Sequence, residues 1–186
     1  IASPAEGAPV YAFAGLPMTL PEGKYVLELK GTDISPTDAA LGWALGSYSF
    51  DRYKMRKRAP ATLAWPADAD HAEVERIASS VFLARDMVNT PAEDMGPEQL
   101  AERANAVAKA HGATLHVIAG DDLLKQNYPT IHAVGRASNR PPCRSDPRWG
   151  NETDPNVTLG GKGVGLDSGG LGLKEQDGSR EEKRER

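Results

Sequence analysis

The stretch Gly96-Pro97-Glu98-Gln-Leu100-Ala-Glu-Arg-Ala104-Asn-Ala-Val107-Ala108-Lys-Ala-His111-Gly112-Ala113-Thr-Leu-His-Val-Ile118 reads as a helix followed at once by a strand. Proline fits the first helical turn, where its missing N–H costs nothing, and Glu98 sits beside the positive end of the helix dipole. Leu100, Ala104, Val107 and Ala108 recur at helical spacing. Gly112 is a natural residue just past the end, because it takes φ > 0 without strain. Residues 113–118 then carry β-branched and apolar positions suited to a strand. Upstream, Asp70-His-Ala-Glu73 places an N-cap acceptor three residues before a Glu, and Val74, Ile77, Ala78, Val81, Arg85 and Val88 keep the helical period. That helix should stop near Asn89-Thr90, since Pro91 disfavours helix in the residue before it.

Downstream, Asp121 to Lys125 reads as a short helix, and Ile131–Val134 and Val157–Leu159 as further strands. Strand and helix therefore alternate after Asp70, which predicts an α/β layer structure. The Pro-rich run from Pro141 to Pro155 is a long loop or an edge segment, because proline cannot serve a central strand. Before Asp70, Lys24–Lys30 alternates as a strand, Thr37 to about Arg52 reads as a helix, and Ala59–Pro66 as another short strand. No internal repeat is evident.

Length and composition narrow the function classes. A chain of 186 residues can form one domain or two small ones. Its net charge of −4 argues against nucleic acid as the main partner, because phosphate binding needs a basic surface. The basic run Arg52, Lys54, Arg56, Lys57 and Arg58 is read as a solvated helix end or a contact with a neighbouring subunit. One cysteine, Cys143, allows no internal disulfide and suits a reducing compartment. No apolar run reaches the roughly 18–20 residues of a membrane helix. The first residues lack the regions of a signal peptide, and the missing initial Met points to a fragment or a processed product. The expected location is cytoplasmic. Residues 175–186 contain no apolar side chain, so disorder is expected there.

The stretch Val157-Thr-Leu-Gly-Gly-Lys162-Gly-Val-Gly-Leu-Asp167-Ser-Gly-Gly-Leu-Gly-Leu-Lys174 carries the chemistry. A glycine-rich loop lets backbone approach an ion or ligand, an aspartate offers hard oxygen ligands, and a lysine adds a positive charge. On its own such a loop is more often a surface turn. It is no P-loop, since Asn156 stands where the first Gly should be and Gly163 where Ser or Thr should follow Lys. The four histidines show no zinc-binding spacing.

Four segments in order carry a resemblance to a known family: residues 39–54, Phe82 to Ala92, Tyr128 to Ser138, and Gly161 to Gly170. They resemble the leucyl aminopeptidases, dinuclear-metal enzymes that remove N-terminal residues from peptides. The resemblance implies the end of a small N-terminal α/β domain over residues 1–69 and a connecting helix over 70–89. The first part of a mixed-sheet α/β catalytic domain would occupy 90–174, with a charged tail over 175–186. It implies that Lys162 and Asp167 are metal ligands and that Lys174 is the catalytic lysine beside the scissile carbonyl. It also implies two divalent ions (manganese or zinc, or magnesium), peptide substrates with Leu preferred, and a hexamer. The likeness stops after Lys174, before two further aspartates, a glutamate and an arginine of the family's site. The expectation is accordingly a partial chain, inactive alone; the alternative is a non-catalytic paralogue that keeps fold and subunit contacts.

Overall fold

A computed structural model describes residues 9–151 and 153–163. The chain divides into two compact units, residues 1–89 and 90–186. Both are α/β.

In the first unit a 3₁₀ turn (Pro9–Tyr11) leads to α1 (Leu16–Thr19), β1 (Lys24–Tyr25), α2 (Pro36–Gly46), β2 (Thr62–Leu63) and α3 (His71–Asn89). Strands β1 and β2 run parallel, with Lys24 opposite Thr62 and Tyr25 opposite Leu63. The expected strand over 24–30 is thus cut to two residues, because β2 supplies no further partner and Val26 is already exposed. The helix expected to reach Arg52 ends at Gly46. Glycine is a poor helix former, and the Ser47 hydroxyl donates to the Ala44 carbonyl at 2.7 Å to close the last turn. Tyr48 therefore leaves the helix axis, and its hydroxyl donates to Asp86 on α3.

Helix α2 starts as its sequence dictates. The Ser35 side chain accepts from the Asp38 amide at 3.0 Å, and Pro36 takes the first helical position. Its face of Ala40, Leu41 and Leu45 closes over Val74 and Ala78 of α3, with Ile77, Val81 and Phe82 packed around them. Trp43, 4% exposed, donates its indole N–H to the Ala61 carbonyl at 3.0 Å, tying α2 to the chain entering β2. On the remaining side α2 meets the main chain directly. A Cβ on Gly42 would lie 1.9 Å from the Val10 carbonyl oxygen, and one on Gly46 would lie 1.8 Å from that of Ala14. No side chain fits there, so both positions need glycine for lack of space. Helix α3 begins where the Asp70 carboxylate accepts from the Glu73 amide at 2.9 Å, as its N-cap pattern requires.

The second unit contains α4 (Pro97–Ala110), β3 (Thr114–Ala119), α5 (Asp122–Lys125), α6 (Pro129–Gly135) and β4 (Cys143–Arg148). Gly112, at φ 67°, closes α4 and turns the chain into β3. Strands β3 and β4 pair antiparallel from Thr114 opposite Arg148 to Ala119 opposite Cys143. Ala101, Ala108, Ile118, Leu123 and Met95 are buried. The Pro-rich run thus contains a strand, and Pro147 sits in a sheet of two strands among the described residues, where both strands are edges.

Two expected strands are not strands. Residues 131–134 lie inside α6, because Pro129 occupies the first helical position with φ already set for a helix, and a four-residue apolar run carries no period of its own. Residues 157–159 have no regular structure and stand in water. The expected disorder of residues 175–186 lies outside the described residues.

Two measurements check this packing. Gly42→Ala should destabilise the first unit by about 3 kcal/mol in chemical denaturation, the upper end for overpacking, because backbone rather than a mobile side chain must yield. Gly15→Ala, with nothing within 4 Å of its new Cβ, should leave stability within about 0.5 kcal/mol. The second concerns Tyr48. Burial pushes its hydroxyl pKa above the usual 10.0; the Asn89 hydrogen bond opposes this and Asp86 adds to it. A pKa raised in the folded state contributes stability that is present below the unfolded value and lost as pH rises through the folded one. Stability should therefore decline above about pH 10, and Tyr48→Phe should remove this group's share of the decline.

Candidate functional site

A set of local ties orders the segments of the second unit that precede the glycine-rich stretch. The turn before α4 is held by Arg140, whose guanidinium donates to the Ala92 carbonyl at 2.8 Å and meets Glu93 at 2.9 Å. Glu93 is almost fully exposed, so the ion pair adds little and the bond to the carbonyl does most of the holding. Gly96 lies beneath that side chain; its amide donates to Gln99 at 3.1 Å, satisfying one free amide of the α4 start. The Cys143 thiol donates to the Pro97 carbonyl at 3.2 Å, which fixes the beginning of β4 against the same helix end. Burial raises the Cys143 pKa, partly offset by Ser145, which disfavours the thiolate. Arg144 donates to the Tyr128 hydroxyl at 2.8 Å and lies over the same ring, joining β4 to the segment before α6.

Sequence reasoning missed Arg140 and Arg144 as ordering residues. Their partners lie 48 and 16 positions away, and no local pattern marks such bonds.

After β4 the chain turns at Gly150, φ 97°, where the Asp154 carboxylate accepts from the backbone and side chain of Asn151 at 3.1 and 3.2 Å. Residues 155–163 then run on without secondary structure. Val157 and Leu159 are 85% and 92% exposed. Added Cβ atoms on Gly160 and Gly161 would meet nothing within 4 Å, while one on Gly163 would lie 2.9 Å from the Leu100 side chain of α4. The loop thus passes through solvent at its double glycine and returns to α4 at Gly163.

Lys162 is on this loop and exposed. Asp167 and Lys174 lie outside the described residues, so the three expected site residues are not brought together among those described. No group of three or more His, Cys, Asp or Glu side chains among the described residues could hold a metal ion. The described residues alone therefore do not fit a metal centre.

His71 stacks on Trp65 with ring centroids 4.0 Å apart, and His132 meets Asp121 at 3.1 Å. The basic run 52–58 lies in a loop and not at a helix end. Arg56 pairs with Asp51 at 2.7 Å, and Arg58 donates to the carbonyls of Met18 and Leu20, so part of its charge ties loops together. No helix among the described residues is long and apolar enough to cross a membrane.

Comparison with known proteins places these features. Residues 82–185 match the model described as cytosol aminopeptidase family, catalytic domain, and residues 2–66 match that for the M17 aminopeptidase N-terminal domain. A probable cytosol aminopeptidase of Geotalea uraniireducens is 35% identical over 74% of this chain and 31% of its own length. One from Agrobacterium fabrum is 34% identical over 80% of this chain and 33% of its own. The chain thus spans about a third of the length of these relatives. Among solved structures, the cytosol aminopeptidase of Coxiella burnetii superposes with a TM-score of 0.84 at 40% identity, over 94% of this chain and 38% of that one. The bottromycin maturation enzyme BotP, solved in complex with Mn, gives 0.75 at 30% identity, over 95% of this chain and 40% of its own. Both domain models match in order, and the catalytic one covers more than half of the sequence: the chain belongs to the cytosol aminopeptidase family.

Proposed function

We propose that this chain is part of a metal-dependent leucyl aminopeptidase and contributes one side of its site. The observation that carries the reading is the catalytic-domain match over 82–185, which includes Lys162, Asp167 and Lys174. In this reading Lys162 and Asp167 are metal ligands, and Lys174 is the catalytic lysine whose charge stabilises the oxyanion forming at the scissile carbonyl. The cofactors are two divalent ions, Mn²⁺, Zn²⁺ or Mg²⁺; the Mn complex of BotP supports the first. Ions of this kind activate water and polarise a carbonyl. The substrates are peptides, with Leu preferred at the N-terminus, and the working assembly is a cytoplasmic hexamer. Residues 1–69 belong to the N-terminal domain, 70–89 to the connecting helix and 90–174 to the catalytic domain.

As a separate 186-residue polypeptide the chain is inactive in this reading. One carboxylate and one lysine are too few donors for two hard ions, which take several oxygen ligands each. The exposed position of Lys162 supports this. The same observation favours the second reading, a non-catalytic paralogue.

A chimera separates the two. Residues 90–174 of this chain would replace the matching segment of an active cytosol aminopeptidase, with release of leucine from a leucyl anilide followed in Mn²⁺. The proposal expects turnover in the chimera and none from the chain alone. It also expects Asp167→Ala and Lys174→Ala each to lower kcat/KM at least about 100-fold, in line with loss of a transition-state contact. A folded, inactive chimera, or an active one indifferent to both substitutions, would sink the assignment.

A further inference from the structure

Between α2 and β2, residues 47–61 run without regular secondary structure. This loop carries five cations, Arg52, Lys54, Arg56, Lys57 and Arg58, against one acid, Asp51. Both of its ends are tied. The Asp51 carboxylate accepts from Ser49 at 2.5 Å and from Arg56 at 2.7 Å. Arg58 donates to the carbonyls of Met18 and Leu20, and the Ala59 amide donates to Glu22 at 2.9 Å. The acids therefore sit at the ends of the loop, and its middle is cationic. Arg52, Lys54 and Lys57 are exposed there, and neither lysine forms an ion pair with a described residue. Between the lysines Met55 is 76% exposed. Tyr53 has the Phe50 ring at 5.8 Å and the Arg52 guanidinium 5.4 Å from its own centroid.

A run of charge is ordinarily a solvated loop. This one differs in holding a large apolar side chain in water among its cations, on a stretch fixed at both ends. Its charge calls for an anionic partner. The chain's net charge of −4 does not prevent this, because salt screens exposed charges beyond about 8–10 Å and an approaching surface meets the loop first. Size and Met55 narrow the partner. A specific protein interface takes roughly 20–30 residues a side, and residues 52–57 are six. A nucleic-acid backbone gives Met55 no apolar medium, and Tyr53, its ring already engaged, makes a poor platform for a base. An anionic bilayer satisfies both features, with headgroups for the cations and an acyl boundary for the thioether. The lysine stems can lie along that boundary while their ammonium groups stay among the headgroups.

We propose that residues 52–57 form a peripheral membrane contact, in which Arg52, Lys54 and Lys57 engage anionic lipid headgroups and Met55 enters the acyl boundary. The contact is reversible and salt-sensitive, because a few cations and one apolar side chain anchor a protein only weakly. It uses no residue of the proposed peptidase site, so it stands or falls apart from that reading.

The test is sedimentation of the 186-residue chain with vesicles of phosphatidylcholine alone or with about one third phosphatidylserine. The phosphatidylserine vesicles should retain it at least about tenfold better, and about 0.5 M salt should abolish the difference. Lys54→Gln/Lys57→Gln should lower the partition coefficient about 30-fold, the two charges contributing equally. Met55→Ser should lower it about fivefold and leave the salt dependence unchanged. All three positions are exposed, so circular dichroism of the variants should match that of the parent chain. Equal retention on both vesicles, or retention indifferent to the lysine pair, would overturn the proposal. So would binding that Met55→Ser leaves intact and that polyglutamate or duplex DNA displaces, since that pattern belongs to a general polyanion contact.

Discussion

An extended backbone must find hydrogen-bond partners along its length, in a neighbouring strand or in water. Within the described residues the segment before Lys162 finds water. Val157 and Leu159 are exposed, a Cβ added at Gly160 or Gly161 would meet nothing within 4 Å among the described residues, and the loop comes beside Leu100 at Gly163. The position of Lys162 follows from that. Lys162 lies exposed on that segment, with no group of metal-ligating side chains around it among the described residues. Whatever draws residues 155–163 into a sheet would also change the surroundings of Lys162.

The framework beneath that loop is, by contrast, well tied. Arg140 holds the turn before α4, the Cys143 thiol joins β4 to the α4 start, and Arg144 joins β4 to Tyr128. The first unit is closed by different means. The absence of side chains at Gly42 and Gly46 lets α2 lie on the backbone of residues 10–14, and Trp43 bridges to Ala61. Its core gathers Leu41 and Leu45 of α2 with Val74 and Ala78 of α3.

The helices were legible where the sequence carried both a start and a stop. Asp70 with Glu73 marked the beginning of α3, and Pro97 with Gly112 bracketed α4. Short apolar runs were not legible. Residues 131–134 became a helix because Pro129 sets its first turn, and residues 157–159 stayed unpaired because a strand is defined by a neighbour that local sequence cannot reveal. Strand β4 hid in a run of prolines, and its pairing with β3 joins residues 24 to 34 positions apart, from Ala119 opposite Cys143 to Thr114 opposite Arg148. At the site, Lys162, Asp167 and Lys174 were readable through resemblance to a family, since residue types in a glycine-rich loop do not distinguish a metal centre from a turn. The ordering roles of Arg140 and Arg144 came from the fold.

The central claim is that this chain holds one side of a two-metal site. Its most direct test is Mn²⁺ titration of the folded chain, with bound metal counted after gel filtration. The account predicts well under one retained ion per chain. Two tightly held ions per chain would contradict it, because a complete site would then be present within these 186 residues.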